Sequence, residues 1–237
     1  ELSSRPFIDM TLETMGKFGV FPRNEEYKRF TVPTGQGYRP AEFVVESDAT
    51  NASYFFAAAA VTGSCVRVEN LSPCSCQGDV AFVSILERMG AKVERGPDWI
   101  QVTGAPLHGI AVDMRDTPDV VPTLAVVAAC AQGTTEIRQI EHLRHKESDR
   151  LSALAVELAK LGITVAEGKG ELAVTGGPGR PAIINTHNDH RMAMSFAVLG
   201  LTLPGVRLLN ERCVEKSFPD FFEKLAELYP ASARPPY

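Results

Sequence analysis

Three stretches of this chain repeat one another at a spacing near 70 residues, and any fold it adopts must be built from that unit. Residues 12–35 read "LETMGKFGVFPRNEEYKRFTVPTG", residues 85–104 "ILERMGAKVERGPDWIQVTG" and residues 157–176 "ELAKLGITVAEGKGELAVTG". Each has a helical tail ending in glycine, a short strand, a polar turn, a second strand and a closing Thr-Gly. The helix-ending glycines, Gly19, Gly90 and Gly162, lie 71 and 72 residues apart; the closing ones, Gly35, Gly104 and Gly176, lie 69 and 72 apart. Glycine suits a helix end because it enters the left-handed region without a Cβ penalty. The period is longer than that of most solenoids, so each unit is expected to be a small folded subdomain.

Two units are complete. The first runs strand "EFVVES", helix "NASYFFAAAAV", strand "SCVRVENL", helix "GDVAFVSILERMG" and strands "AKVERG" and "WIQVTG". The second runs strand "GIAVDM", helix "VVPTLAVVAACA", strand "TTEIRQI", helix "SDRLSALAVELAKLG" and strands "ITVAEG" and "ELAVTG". Both read βαβαββ, which predicts an α/β (α+β) fold of repeated subdomains. Residues 5–35 supply only the last helix and hairpin of a unit. Residues 181–228 supply strand, helix, strand and helix with no final hairpin. The chain is therefore expected to be a cut from a longer repeat protein, or to pair its ends with each other or with a second chain.

The 44% hydrophobic content suffices for a substantial core. A net charge of −5 argues against nucleic acid as a partner. No apolar run approaches the roughly 18 residues of a membrane helix, and the opening residues show no signal-peptide pattern. Five cysteines, an odd number, suit a reducing compartment. Cys74 and Cys76 lack a second Cys or His pair at zinc-site spacing and are read as unpaired thiols.

Charged clusters recur where a loop enters a helix: "SSRP" (3–6), "DTPD" (116–119), "HKESDR" (145–150), "NDHR" (188–191) and "EKSFPD" (215–220). Helix N-termini expose free N–H groups and the positive end of the dipole, so they attract anions. A helix starting near Ser148 would place Lys146, Glu147 and Arg150 around one turn. Asn188 or Asp189 is expected to cap the next helix. Asp119, before Val120 and Val121, reads as an N-cap because Pro122 fits only in a first turn. Each cluster has a bland reading as a capped, solvated helix start. Together, Lys146, Arg150, Arg191 and Lys216 with Asp119 and Glu147 would form a pocket for a substrate bearing several negative charges, with groups for proton transfer.

The stretches "KESDRL", "NDHRMAMSFAV", "KSFPDFF", "ESDATNASYFFAAAA" and "SSRPFIDMTL" resemble the enolpyruvyl transferase family, in its branch acting on shikimate 3-phosphate, from about Ser3 to Leu228. The resemblance implies an inside-out α/β barrel of βαβαββ units in two domains. It implies transfer of enolpyruvyl from phosphoenolpyruvate to the 5-hydroxyl of shikimate 3-phosphate, with phosphate released and no cofactor or metal. Asp119 then matches the base at the 5-hydroxyl, and Glu147 the acid/base group near the phosphoenolpyruvate methylene. Arg150, Arg191 and Lys216 match cations holding phosphoenolpyruvate, with His190 beside them. Ser4, Arg5, Phe7, Asp119, His142 and Lys146 fall to shikimate 3-phosphate. Phe7 replaces the usual Tyr and His142 a common Asn.

The family's Lys-x-Ser-x-x-x-Arg segment, Gly-Asn-Ala-Gly loop and Gln-containing Ser-Ser motif are not found here. Residues 1–43 are thus expected to be the tail of an N-terminal domain, and 44–237 most of a C-terminal domain, with two complete units and a partial third. The chain is expected to need the missing N-terminal half, or a second chain, for activity. The alternative is a non-catalytic module retaining the phosphoenolpyruvate contacts. The expected setting is cytoplasmic, or a plastid in a plant.

Overall fold

The computed structural model describes residues 2–229. Helix α1 (Arg5–Lys17) and the hairpin β1 (Arg23–Glu25) and β2 (Arg29–Thr31) form the opening partial unit. Then come α2 (Ala49–Thr62), β3 (Cys65–Glu69), α3 (Ala81–Met89), β4 (Lys92–Arg95) and β5 (Trp99–Thr103). The second unit is β6 (Ala111–Asp113), α4 (Val121–Ala129), β7 (Thr134–Arg138), α5 (Arg150–Lys160), β8 (Thr164–Glu167) and β9 (Glu171–Thr175). The chain continues with β10 (Ile183–Asn185), α6 (His190–Gly200), β11 (Arg207–Leu209) and α7 (Phe221–Leu228). The expected domain end at residue 237 lies outside the described residues.

Helices α2, α4 and α6 pack on one another and are apolar almost all round, which is what a helix needs to be buried on every side. The run Ala57–Ala60 leaves little bulk between them, so the axes approach closely. A line of buried hydroxyls marks the centre. Ser53 Oγ lies 3.3 Å from Thr123 Oγ1, which lies 3.4 Å from Ser195 Oγ, at sequence separations of 70 and 72. Equivalent positions of three successive units thus meet on one axis. The sheets lie outside, with alternate residues buried along β5, β7 and β9. Helices α3 and α5 are amphipathic and bury one face each.

The second unit matches its expected order, with sheet order β6-β7-β9-β8 and β6 parallel to β7. The first does not. "EFVVES" forms no strand, and the first sheet is β3-β5-β4 alone. The segment meets the sheet only at its far end, where Ser47 Oγ donates to Glu69 O (2.8 Å), Ser47 N donates to Asn70 O (2.8 Å) and Asn70 Nδ2 donates to Val45 O (2.9 Å). Val44 is 78% exposed and Val45 73%: nothing covers their side chains, and a short edge strand buried on neither side gains little from pairing. β10 and β11 form a two-stranded parallel sheet. No hairpin follows them among the described residues.

The helix-ending glycines have the expected positive φ, +89° at Gly19, +121° at Gly90 and +78° at Gly162. Gly104 and Gly176 are needed for a different reason. A Cβ on Gly104 would come within 2.4 Å of Ala59 O, and one on Gly176 within 1.8 Å of Ala131 O. The chain leaves each hairpin by crossing directly over the end of a central helix.

Candidate active site

Charged side chains at and just before the N-terminal ends of α4, α5 and α6, with Lys216 before α7, form one network. At its centre is Arg150, the first residue of α5, whose side chain is 0% exposed. Arg150 Nε donates to Asp189 Oδ2 (2.8 Å), one Nη to Asp119 Oδ1 (3.0 Å) and the other to Glu147 Oε2 (2.6 Å). A guanidinium placed among three carboxylates recovers the several kcal/mol that burial of a lone charge costs. Arg191 donates to Asp119 Oδ2 at 3.1 Å, Lys146 Nζ lies 3.4 Å from Asp119 Oδ1, and Lys216 Nζ donates to Glu147 Oε1 at 2.7 Å. All four cations and both acids expected in one place are therefore there.

Local structure differs from expectation at two helix starts. Asp119 is not an N-cap: it sits in a 3-10 turn, Pro118–Val120, and its carboxyl turns to the cations. Three charges attract it more strongly than backbone N–H groups of the first turn can. Helix α5 begins at Arg150, not near Ser148, and Asp149 caps it by accepting from Ser152 N. Lys146 and Glu147 precede the helix, Lys146 turning to Asp119 and Glu147 to Arg150. Asp189 does cap α6, accepting from Arg191 N at 2.9 Å, while also receiving Arg150 and Ser148 Oγ (3.1 Å).

The electrostatics follow from this packing. Burial pushes the Glu147 carboxyl up, but the Lys216 hydrogen bond and the Arg150 charge outweigh it and hold the pKa at about 2. Burial likewise works against Asp119, and Arg191, Lys146 and Arg150 together hold it below its ordinary range. His190 is lowered by burial and then by Arg191, and His142 by burial and then by Lys146.

The surroundings hold several unsatisfied polar atoms. Tyr54 OH, Asp79 Oδ1, His142 Nε2 and His190 Nδ1 are buried without a hydrogen-bond partner. All lie within electrostatic reach of the network. Tyr54 faces Arg191 without a well-formed hydrogen bond, and burial pushes its hydroxyl up to about 12. Buried polar groups are normally paired, so such a cluster marks a place built for something other than stability. Sequence reasoning missed Tyr54, Asp79 and the joining role of Asp189. Asp48, Asp119 and Asp189 occur 71 and 70 residues apart, and that periodicity was the available signal.

Ser4, Arg5 and Phe7 stand apart from the network. Ser4 N donates to Arg115 O (3.2 Å) and Arg5 N to Asp116 Oδ1 (3.2 Å), which docks α1 three residues before Asp119. Phe7 is exposed on α1. A cavity of about 850 Å³ opens elsewhere, between α1 and the 43–48 and 70–77 segments, and no network residue lines it. It carries no comparable concentration of charge. Among the described residues no group of three or more His, Cys, Asp or Glu side chains is arranged to hold a metal ion. Among them, no helix is long and apolar enough to cross a membrane.

Residues 1–225 match the family model for EPSP synthase (3-phosphoshikimate 1-carboxyvinyltransferase). The chain is 45% identical over 228 residues to the 3-phosphoshikimate 1-carboxyvinyltransferase of Nostoc punctiforme, covering 96% of this chain and 54% of that protein. It is 48% identical over 231 residues to that of Sodalis glossinidius, covering 96% and 53%. An EPSP synthase structure from Acinetobacter baumannii superposes with a TM-score of 0.78 at 29% identity, over 90% of this chain and 52% of that one. The enolpyruvyl transferase NikO of Streptomyces tendae shares the fold, with a TM-score of 0.74 at 22% identity over 96% of this chain and 53% of that one. The chain spans about half the length of the curated relatives it matches.

Proposed function

The chain belongs to the EPSP synthase family, and from that premise we propose that it is a piece of a 3-phosphoshikimate 1-carboxyvinyltransferase. The piece supplies the acid, the base and four cations of the site. The observation that carries this reading is the single network joining Asp119 and Glu147 through Arg150, flanked by Lys146, Arg191 and Lys216. Residues 1–43 then close one domain and 44–237 form most of another. The rest of the active site lies in the N-terminal half. The setting is the cytoplasm, or a plastid in a plant.

In this reading Arg191 and Lys216 grip the carboxylate and phosphate of phosphoenolpyruvate, with Arg150 behind them and His190 alongside. Ser4, Arg5, Phe7, His142 and Lys146 border shikimate 3-phosphate. Asp119 takes the proton of the 5-hydroxyl as its oxygen bonds to C2 of phosphoenolpyruvate, and C3 gains a proton from Glu147. Elimination follows: C3 returns a proton, the C2–O bond to phosphorus breaks, and phosphate leaves. The Glu147 pKa of about 2 belongs to the ligand-free state. An anion that draws Lys216 and Arg150 toward itself removes what holds that pKa down, so ligand binding and readiness to donate a proton rise together.

Phosphate release from phosphoenolpyruvate and shikimate 3-phosphate tests this, with the chain alone and with the N-terminal half added. Turnover is expected only in the mixture; robust turnover by the chain alone contradicts it. The gathering of Arg150, Arg191 and Lys216 in this half also favours a second reading, a non-catalytic anion-binding module. Saturable phosphoenolpyruvate binding, with no turnover in the complemented mixture, would select that one.

A further inference from the structure

We propose that Glu157 and His187 are positioning residues that hold the turn aiming Asp189, His190 and Arg191 into the site. The proposal rests on the reading of Arg191 as an anion ligand. Glu157 lies in the middle of α5 and is 1% exposed, an uncommon place for a carboxyl group. Its partners are not those of a helix seeking solubility. Oε2 accepts from the backbone N of Asn185 at 3.0 Å, and Oε1 meets His187 Nε2 at 3.0 Å. Lys160 Nζ, one turn along α5, completes the set at 2.7 Å. Two of the three partners thus belong to one short segment, the exit of β10.

That segment needs holding. His187 and Asn188 both have left-handed backbones, with φ of 53° and 55°, which non-glycine residues adopt at a conformational cost. Asn185 Oδ1 accepts from His187 N (2.8 Å), and Asp189 N donates to Thr186 O (2.9 Å). On the other side, Thr186 Oγ1 donates to Leu209 O and Asn210 Nδ2 to Asn188 Oδ1, both at 2.8 Å. The turn is clamped between α5 and the end of β11. Its next residue, Asp189, caps α6 and receives Arg150. A shift of the turn therefore moves Arg191 and the partner of Arg150 together. Glu157 touches neither, so it acts through the turn alone.

The test uses the full chain, in wild-type form and as Glu157→Gln, His187→Phe and Val102→Ala. The last is a buried β5 change that lowers stability far from the turn. Backbone amide resonances of Asn188–Arg191 are recorded without ligand, and phosphoenolpyruvate is then titrated. Glu157→Gln and His187→Phe are expected to move those resonances and to weaken phosphoenolpyruvate binding about tenfold, since small misplacements of a binding group are costly. Val102→Ala should do neither. Unmoved resonances in both turn variants, or equal weakening by Val102→Ala, would overturn the proposal. Should wild type fail to bind phosphoenolpyruvate, the anion reading falls, and the amide resonances alone decide the positioning role. Should Glu157→Gln not fold, His187→Phe decides it.

Discussion

Lys216 Nζ lies 2.7 Å from Glu147 Oε1 although 69 residues separate them. The contact ties the loop before α7 to the loop before α5. It is also the largest single influence holding the Glu147 carboxyl down against burial. Lys216→Met is expected to raise the Glu147 pKa from about 2 toward its ordinary 4.5, measured by carboxyl carbon titration in NMR. Folding lowers this pKa, so the linked stability is present above pH 4.5 and is lost as pH falls from there toward about 2. In the variant, that loss of stability on acidification should shrink.

Arg150→Met removes the cation shared by Asp119, Glu147 and Asp189. Asp189, fully buried, then loses its Arg partner, while Asp119 keeps Arg191 and Lys146 and Glu147 keeps Lys216. The expected cost is about 3–5 kcal/mol in urea unfolding. Arg191→Met, which leaves Asp119 with two other cations, should cost clearly less.

Asp79 titrates in the opposite direction from Glu147. Burial pushes its carboxyl up to about 6, with the Thr50 hydroxyl at 2.5 Å pulling the other way. The folded protein then holds this proton more tightly than the unfolded chain, whose ordinary value is 3.8, so stability declines as pH rises through that window. Asp79→Asn removes the titration. The variant is expected to gain stability relative to wild type between pH 4 and 6, by up to about 3 kcal/mol. Thermal unfolding at a series of pH values reads it directly.

Val44, Val45, Ile183 and Leu209 are all more than half exposed, on the unpaired first-unit segment and on the two-stranded β10–β11 sheet. Unpaired edges and exposed valine, isoleucine and leucine favour association. The chain alone is expected to elute from gel filtration with a concentration-dependent size and to bind ANS. A clean, ANS-silent monomer would contradict this.

The repeat was the most legible feature of the sequence, because spacing survives whatever the side chains do. Asp119 and Arg191 meet from the helix starts of consecutive units, 72 residues apart, near the glycine period. Local chemistry was harder to read. Asp119 looked like a cap because capping is a local preference, and the long-range cations that outbid it are invisible at that scale. "EFVVES" looked like a strand because alternation reports strand propensity, not whether anything lies alongside to cover it. The burial of Arg150 could not be foreseen either: it depends on three carboxyl groups from three loops arriving at one point.

The central claim is that these helix starts form one anion site. Side-chain NMR of the chain's arginine and lysine nitrogens during phosphoenolpyruvate titration tests it most directly. The account predicts that Arg191 and Lys216 resonances move together along one saturation curve, while Arg67, stacked on Trp99 on the first sheet, stays still. No saturable movement at tens of millimolar, or equal movement at Arg67, would contradict it.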